Sequence, residues 1–189
     1  MRADIVAGAT FPNYELPDHT GVRRRLSTLQ GNDPVALVLA RGGYCPREHR
    51  QHMWMVEMEP EVNVGACRFI TISTDTVLES QEWRMRLGAH WPFLSDPERV
   101  VQRDLDIVEY TDPQHNAMIP HTIMLEPGLL IYRIYNGYWY WGRPTPEEVR
   151  QDFRAISMKV RPDWDIAAPG LREQWESGDR SAFYPYRRR

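Results

Sequence analysis

Only two cysteines, Cys45 and Cys67, occur in 189 residues, and that scarcity removes one class of protein at once. Small secreted scaffolds carry dense, even cysteine frameworks, so this chain is expected in a reducing compartment, the cytoplasm, with its thiols free. No apolar run approaches the ~18 residues a membrane helix needs. The opening Met1-Arg2-Ala3-Asp4-Ile5 lacks the apolar centre of a signal peptide. A net charge of only -3 offers no basic face for nucleic acid or anionic membrane, and the terminal Arg187-Arg188-Arg189 is too short to change that. Internal repeats and low-complexity segments are also missing. What remains is a soluble chain long enough for one domain with a full core.

The richest stretch is Arg41-Gly42-Gly43-Tyr44-Cys45-Pro46-Arg47-Glu48-His49-Arg50, directly after the apolar run Pro34 to Ala40. A buried strand feeding a glycine turn, then cysteine at the cap and Pro46 at the first helical position, predicts the start of a helix. The free amide hydrogens and dipole of a first turn favour a thiolate, more so beside Arg41, Arg47 or Arg50. The spacing therefore advertises a reactive cysteine.

Strand-like and helix-like runs alternate beyond it. Ala66 to Ile72 is rich in β-branched and aromatic residues and reads as a second buried strand. Thr76 and Glu79 have the spacing of a capping box, for a helix ending by Gly88. Pro97 after the Ser95-Asp96 loop predicts a third, short helix. Glu126-Pro127-Gly128 is a turn signal between two extended segments, His121 to Leu125 and Leu129 to Tyr135. A second capping box, Thr145 with Glu148, opens a helix carrying Val149, Phe153, Ile156 and Val160 at helical spacing. This order predicts an α/β domain with helices covering a mixed sheet over residues 1–160. Residues 161–189, with Trp164, Trp175, Tyr184, Pro185 and Tyr186, read as an extension that packs on its own domain or across a dimer.

These residues resemble the peroxiredoxin family, the thioredoxin-fold thiol peroxidases of the alkyl hydroperoxide reductase and thiol-specific antioxidant group. Cys45-Pro46-Arg47-Glu48 is similar to the family's Cys-Pro-Thr-Glu signature, Gly8 to Leu29 to its opening hairpin, Ser95-Asp96-Pro97-Glu98 to its Ser-Asp-Pro turn, and Ile119-Pro120-His121-Thr122 to its proline loop. The resemblance spans residues 8–160. It implies a thioredoxin-like fold, peroxide as substrate, Cys45 as the peroxidatic thiol with Glu48 beside it, and a cis Pro120 opposite the cysteine; a homodimer is expected from the aromatic strand and tail. Where the family has proline seven residues before the cysteine and threonine or serine three before, this chain has Val38 and Gly42. Where the family has an arginine near the proline loop, it has Ile119 and Pro120. Arg41 or Arg143 is the candidate replacement cation, and Tyr44, Gly42, Pro120 and His121 are candidates for the substrate wall.

Peroxide reduction by a thiolate needs no cofactor. The sulfur attacks one oxygen in line, and donors stabilise the charge that develops on the departing oxygen. Cysteine ends as a sulfenic acid that a second thiol must reduce. Glu48 excludes a Cys-x-x-Cys dithiol, and Cys67 starts a core strand, where free cysteine is commonly an inert small hydrophobe. The expectation is a one-cysteine enzyme recycled by an external thiol, either a thioredoxin-like protein or a small thiol. Three other readings stand beside it. Cys45, His49 and His52 could share a helix face and ligate a metal. The aromatic run Tyr135 to Trp141 could dock a partner, making the protein a thioredoxin-fold scaffold. Cys45 could also attack a non-peroxide electrophile, as a thiol transferase does.

Overall fold

Strand β3 (Val35–Ala40) is buried at all six positions and takes the centre of the sheet. Its Val, Ala and Leu side chains are apolar throughout, as a strand covered on both faces requires. Before it stand a small antiparallel hairpin, β1 (Glu15–Pro17) and β2 (Arg23–Arg25), and a short helix α1 (Leu26–Gln30). After it come α2 (Pro46–Val64), β4 (Arg68–Ser73), α3 (Val77–Leu87), β5 (Phe93–Ser95), α4 (Val100–Asp104), β6 (His121–Glu126), β7 (Leu130–Asn136), α5 (Pro146–Val160) and α6 (Leu171–Ser177). The computed structural model describes residues 1–138, 141–162, 165 and 167–181. Of the aromatic and tail positions singled out above, Trp139, Tyr140, Trp164, Tyr184, Pro185 and Tyr186 lie outside the described residues.

The five-stranded sheet runs β5-β4-β3-β6-β7. Strands β3, β4 and β5 are parallel, while β6 and β7 return antiparallel, so the sheet is mixed as the alternation predicts. One face carries Val35, Leu37, Leu39, Ile70, Ile72, Ile123 and Leu125 against Phe11, Leu26, Val101 and Leu105. The other carries Ala36, Val38, Ala40, Phe69 and Met124 beneath the apolar sides of α2, α3 and α5. The small alanines of β3 leave room for Met55 and Met58 of α2, which brings the helix with the cysteine at its head onto the central strand. Both predicted capping boxes form, with the Thr76 and Thr145 hydroxyls accepting from the Glu79 and Glu148 amides.

Three local expectations are corrected. Helix α4 begins at Val100 rather than at Pro97, because the Asp96 carboxylate accepts from the amides of Val100 and Val101 at 2.7 and 3.0 Å and makes residues 96–99 the cap loop. Ser95 closes strand β5 and is not loop; three residues are too few to show a period in the sequence. Every described peptide bond is trans, including the one into Pro120 that the resemblance implies to be cis.

The step from β3 into α2 is tightly built. Gly42 has φ +128, and a Cβ there would lie 2.5 Å from Asp75 Oδ1. A Cβ on Gly43 would lie 2.9 Å from Cγ of Trp83, an indole that is fully buried in α3. The Gly43 amide donates to Asp75 Oδ2 at 2.9 Å, and the Ser73 hydroxyl donates to the same oxygen at 3.0 Å. Each glycine is thus required by a neighbour that belongs to the next βα unit. Gly43→Ala is expected to destabilise the fold by about 1–3 kcal/mol, the usual cost of overpacking a core. Urea unfolding measures it, and an unchanged midpoint would show that the indole yields freely.

Candidate active site

Cys45 is the N-cap of α2, with Pro46 at the first helical position, and its carbonyl accepts the His49 amide at 3.1 Å. The residue is 3% exposed. A cavity of about 550 Å³ reaches it, walled by Arg41, Pro46, Arg47, Glu109, Thr111 and Tyr138. Arg41 Nη1 lies 3.9 Å from the Cys45 sulfur, and the Arg41 carbonyl is held by the Thr74 hydroxyl at 3.0 Å. The structure therefore brings together Cys45 and Arg41 at one opening.

The other candidate cation goes elsewhere. Arg143 donates to Glu48 Oε1 at 2.5 Å and to the Gly137 carbonyl at 3.1 Å. Glu48 is completely buried in the first turn of α2; its carboxyl is raised because burial outweighs the opposing charge and hydrogen bond of Arg143. This ion pair ties the first turn of α2 to the segment after β7. Pro120 belongs to the same support, since its carbonyl accepts the Gly137 amide at 2.8 Å.

Neither Pro120 nor His121 lines the Cys45 cavity. His121 shares strand parity with Ile123 and Leu125 and so sits on the face opposite α2. It is buried, with Nδ1 at 2.8 Å from the Ile119 carbonyl, and burial lowers its pKa to about 4. Gly42 faces Asp75. Tyr44 lies outside the cavity wall and stacks on His115, with ring centroids 3.8 Å apart. Desolvation raises its phenol well above the ordinary value, which keeps it neutral.

His49 is exposed while His52 is fully buried, so the two do not share a ligand face with Cys45. His52 Nδ1 donates to the Glu48 carbonyl at 2.8 Å, and Nε2 meets the Thr71 hydroxyl at 3.0 Å, which also accepts from Trp91 Nε1 at 3.0 Å. Its ring lies 4.5 Å from that of Trp83. Cys67, buried near Ser157 at 3.8 Å, has its thiol pushed up to about 11, mainly by burial. It precedes Arg68, the partner of Val35, whereas Cys45 follows Ala40, the partner of Ser73. Five residue steps at ~3.3 Å separate the two ends of the strand pair, well beyond the ~7 Å Cα limit for a disulfide.

Glu109, Asp112, His115 and Asp75 were not singled out in the sequence, yet all four contact the turn that carries Cys45 or its arginine. The only available signal was polar density: Glu109 to His115 is a Pro-containing polar loop, and nothing local tells that it folds back over the turn.

A central mixed sheet with a lone cysteine capping the helix after its middle strand defines a thioredoxin-like thiol protein. Residues 7–133 match the AhpC/TSA family, and the chain belongs to that family. It is 30% identical over 94 residues to relatives from two strains of Mycobacterium tuberculosis whose names carry the word peroxiredoxin. The match covers 50% of this chain and 61% of those relatives, so it spans less than two thirds of their length. The fold is similar to that of peroxidoxin BcpB from Mycobacterium tuberculosis, at 20% identity and TM-score 0.67 over 79% of this chain and 95% of that one. It is also similar to a mutant of peroxiredoxin 6 from Arenicola marina, at 17% identity and TM-score 0.71 over 83% and 76%. Among the described residues no helix is long and apolar enough to cross a membrane.

The site has a built-in acid sensitivity. His52 is held neutral, its pKa lowered from 6.5 to about 4, chiefly by burial. Between those values the unfolded chain binds a proton there that the folded chain refuses, so stability is full above pH 6.5 and falls as pH drops towards 4. The loss from this residue is about 3 kcal/mol, and His121 adds to it in the same window. Urea midpoints between pH 7 and pH 4.5 should fall in the wild type and fall less in His52→Gln; equal slopes would refute the assignment.

Proposed function

We propose that the protein is a thiol peroxidase that reduces hydrogen peroxide or an organic hydroperoxide through Cys45. The observation that carries this reading is the sulfur at a helix cap with a guanidinium nitrogen 3.9 Å away, at the end of an open cavity. The Cys45 thiolate attacks one peroxide oxygen, the S–O bond forms and the O–O bond breaks. Cysteine is oxidised to sulfenic acid, the peroxide is reduced, and the departing oxygen takes a proton to leave as alcohol or water. Arg41 faces the charge that develops on this path, where a positioned donor is worth most. Glu48 and Arg143 act as support, fixing the first turn of α2.

Recycling is assigned to an external thiol. It attacks the sulfenic sulfur, an S–S bond forms and water leaves; a further thiol then frees Cys45. The separation of the two cysteines across the strand pair and the burial of Cys67 favour this one-cysteine scheme.

Stopped-flow tryptophan fluorescence with peroxide tests the reading. A fast change is expected in the wild type and none in Cys45→Ser, with dimedone trapping the sulfenic acid only when Cys45 is present. Arg41→Met should lower the second-order rate constant by ~10²- to 10³-fold, and Cys67→Ala should keep turnover with an external thiol. Peroxide consumption no faster than by a free thiol would overturn the reading in favour of a transferase, and a Cys45 to Cys67 disulfide would make the protein a two-cysteine enzyme.

A further inference from the structure

Arg41 meets the Cys45 sulfur with one of its three guanidinium nitrogens, while the loop after α4 hydrogen-bonds a second and sets a carboxylate against the third. Nε lies 2.9 Å from Glu109 Oε2, and Nη2 donates to Asp112 Oδ2 at 2.6 Å, which leaves Nη1 at 3.9 Å from the sulfur. A guanidinium is a rigid planar fork, so the hydrogen bond at Nη2, with the ion contact at Nε, directs Nη1.

Asp112 is itself held from the far side. His115 Nδ1 lies 2.9 Å from each Asp112 oxygen, and the His115 amide donates to Oδ1 at 3.2 Å. The imidazole stacks on Tyr44, 8° from parallel, and the Tyr44 hydroxyl reaches Asp112 Oδ2 at 3.4 Å. Tyr44 adjoins Cys45 in the chain, so the loop and the turn are fastened to each other on both sides of the carboxylate. Arg41 and Asp112 are both partly shielded, with side chains 21% and 17% exposed.

We infer that Asp112 is the positioning residue of this site: it selects the guanidinium nitrogen that faces the Cys45 sulfur, with His115 and Tyr44 holding it in place. The inference rests on Cys45 as the reacting thiol. Two effects of the carboxylate oppose each other, which makes the sign of the outcome decisive. Its own negative charge disfavours a nearby thiolate, so removing a mere neighbour would speed the sulfur. Removing the residue that aims Arg41 would slow it.

The experiment uses the full chain in a Cys67→Ala background and measures iodoacetamide alkylation of Cys45 across pH, together with the rate constant for hydrogen peroxide. Asp112→Asn keeps shape and removes charge; it is expected to slow alkylation at pH 7 by about tenfold, because an opposite charge within 4–6 Å is worth at least that factor to a thiolate. The alkylation profile should move towards higher pH. Adding Asp112→Asn to Arg41→Met should not slow alkylation further, since the slowing runs through the arginine and only the carboxylate's own unfavourable charge is then removed. Circular dichroism melting checks that each variant is folded, and Asp112→Glu gives a second variant in which the carboxylate is kept and much of the rate should return. Faster alkylation, an unchanged rate, or equal slowing with and without Arg41 would each overturn the inference. If the wild type alkylates as expected but does not consume peroxide, the peroxidase reading fails while the positioning of Arg41 is still decided by alkylation.

Discussion

The turn between β3 and α2 has almost no freedom, and the chemistry of the chain depends on that. Gly42 is pressed against the Asp75 carboxylate and Gly43 against the Trp83 indole. The two partners come from the segment just after β4 and from α3, so the turn is packed directly against the second βα unit. In return the turn sets where α2 begins and hence where Cys45 caps it. Below it, the first turn of α2 is fixed by the buried Glu48–Arg143 pair and by His52, whose two ring nitrogens bridge the Glu48 carbonyl and Thr71 of β4. On the proposed reading, a thiol held from both chain directions loses little entropy on meeting a substrate, which is the physical content of a preorganised site.

Electrostatics around the sulfur is a matter of direction more than of net charge. Two unit charges 4 Å apart interact by about 4 kcal/mol at an effective dielectric of 20. Glu109 and Asp112 lie closer to Arg41 than the sulfur does, so at longer range the cluster is not a positive centre. What survives close to the sulfur is one N–H bearing partial positive charge, in a fixed orientation. Arg143 contributes even less at a distance, because Glu48 cancels it inside the protein. The pairing there serves the fold, since removing one partner of a buried pair strands the other at a cost of about 3–5 kcal/mol.

Much of this fold was legible because its signals are local. Pro46 after Cys45, the Thr76/Glu79 and Thr145/Glu148 boxes and the Glu126-Pro127-Gly128 turn each act within a few residues, and each element they mark is present close to where they mark it. Strand β5 and the start of α4 escaped because three apolar residues have no period and because a cap by Asp96 over four positions competes with the proline signal. The site was less legible than the fold. Cys45 and Arg41 are four residues apart and their meeting follows from one turn, but Asp112 is 71 positions from Arg41 and Arg143 is 95 from Glu48. Such contacts are set by how strands are ordered in the sheet, and no spacing along the chain encodes them.

The placement of the two thiols shows the same division between local and long-range constraint. Helix α2 has 19 residues, and at ~1.5 Å per residue it carries the chain back along the sheet from Cys45 before β4 can start. A strand–helix–strand crossover between parallel neighbours therefore puts residues just before consecutive strands at one end and residues just after them at the other. Cys67 precedes its strand and Cys45 follows its own, so topology alone assigns them to opposite ends. Both are buried and each lines a cavity, but their neighbours differ: Cys67 lies between α2 and α5 with its thiol raised to about 11, while Cys45 adjoins a guanidinium. An intramolecular bridge would require α2 to leave β3, which would break the packing of Met55 and Met58 on the alanines of the central strand. On the proposed one-cysteine reading, the sulfur that answers oxidation at Cys45 comes from outside the domain, and the core packing between α2 and β3 stays intact.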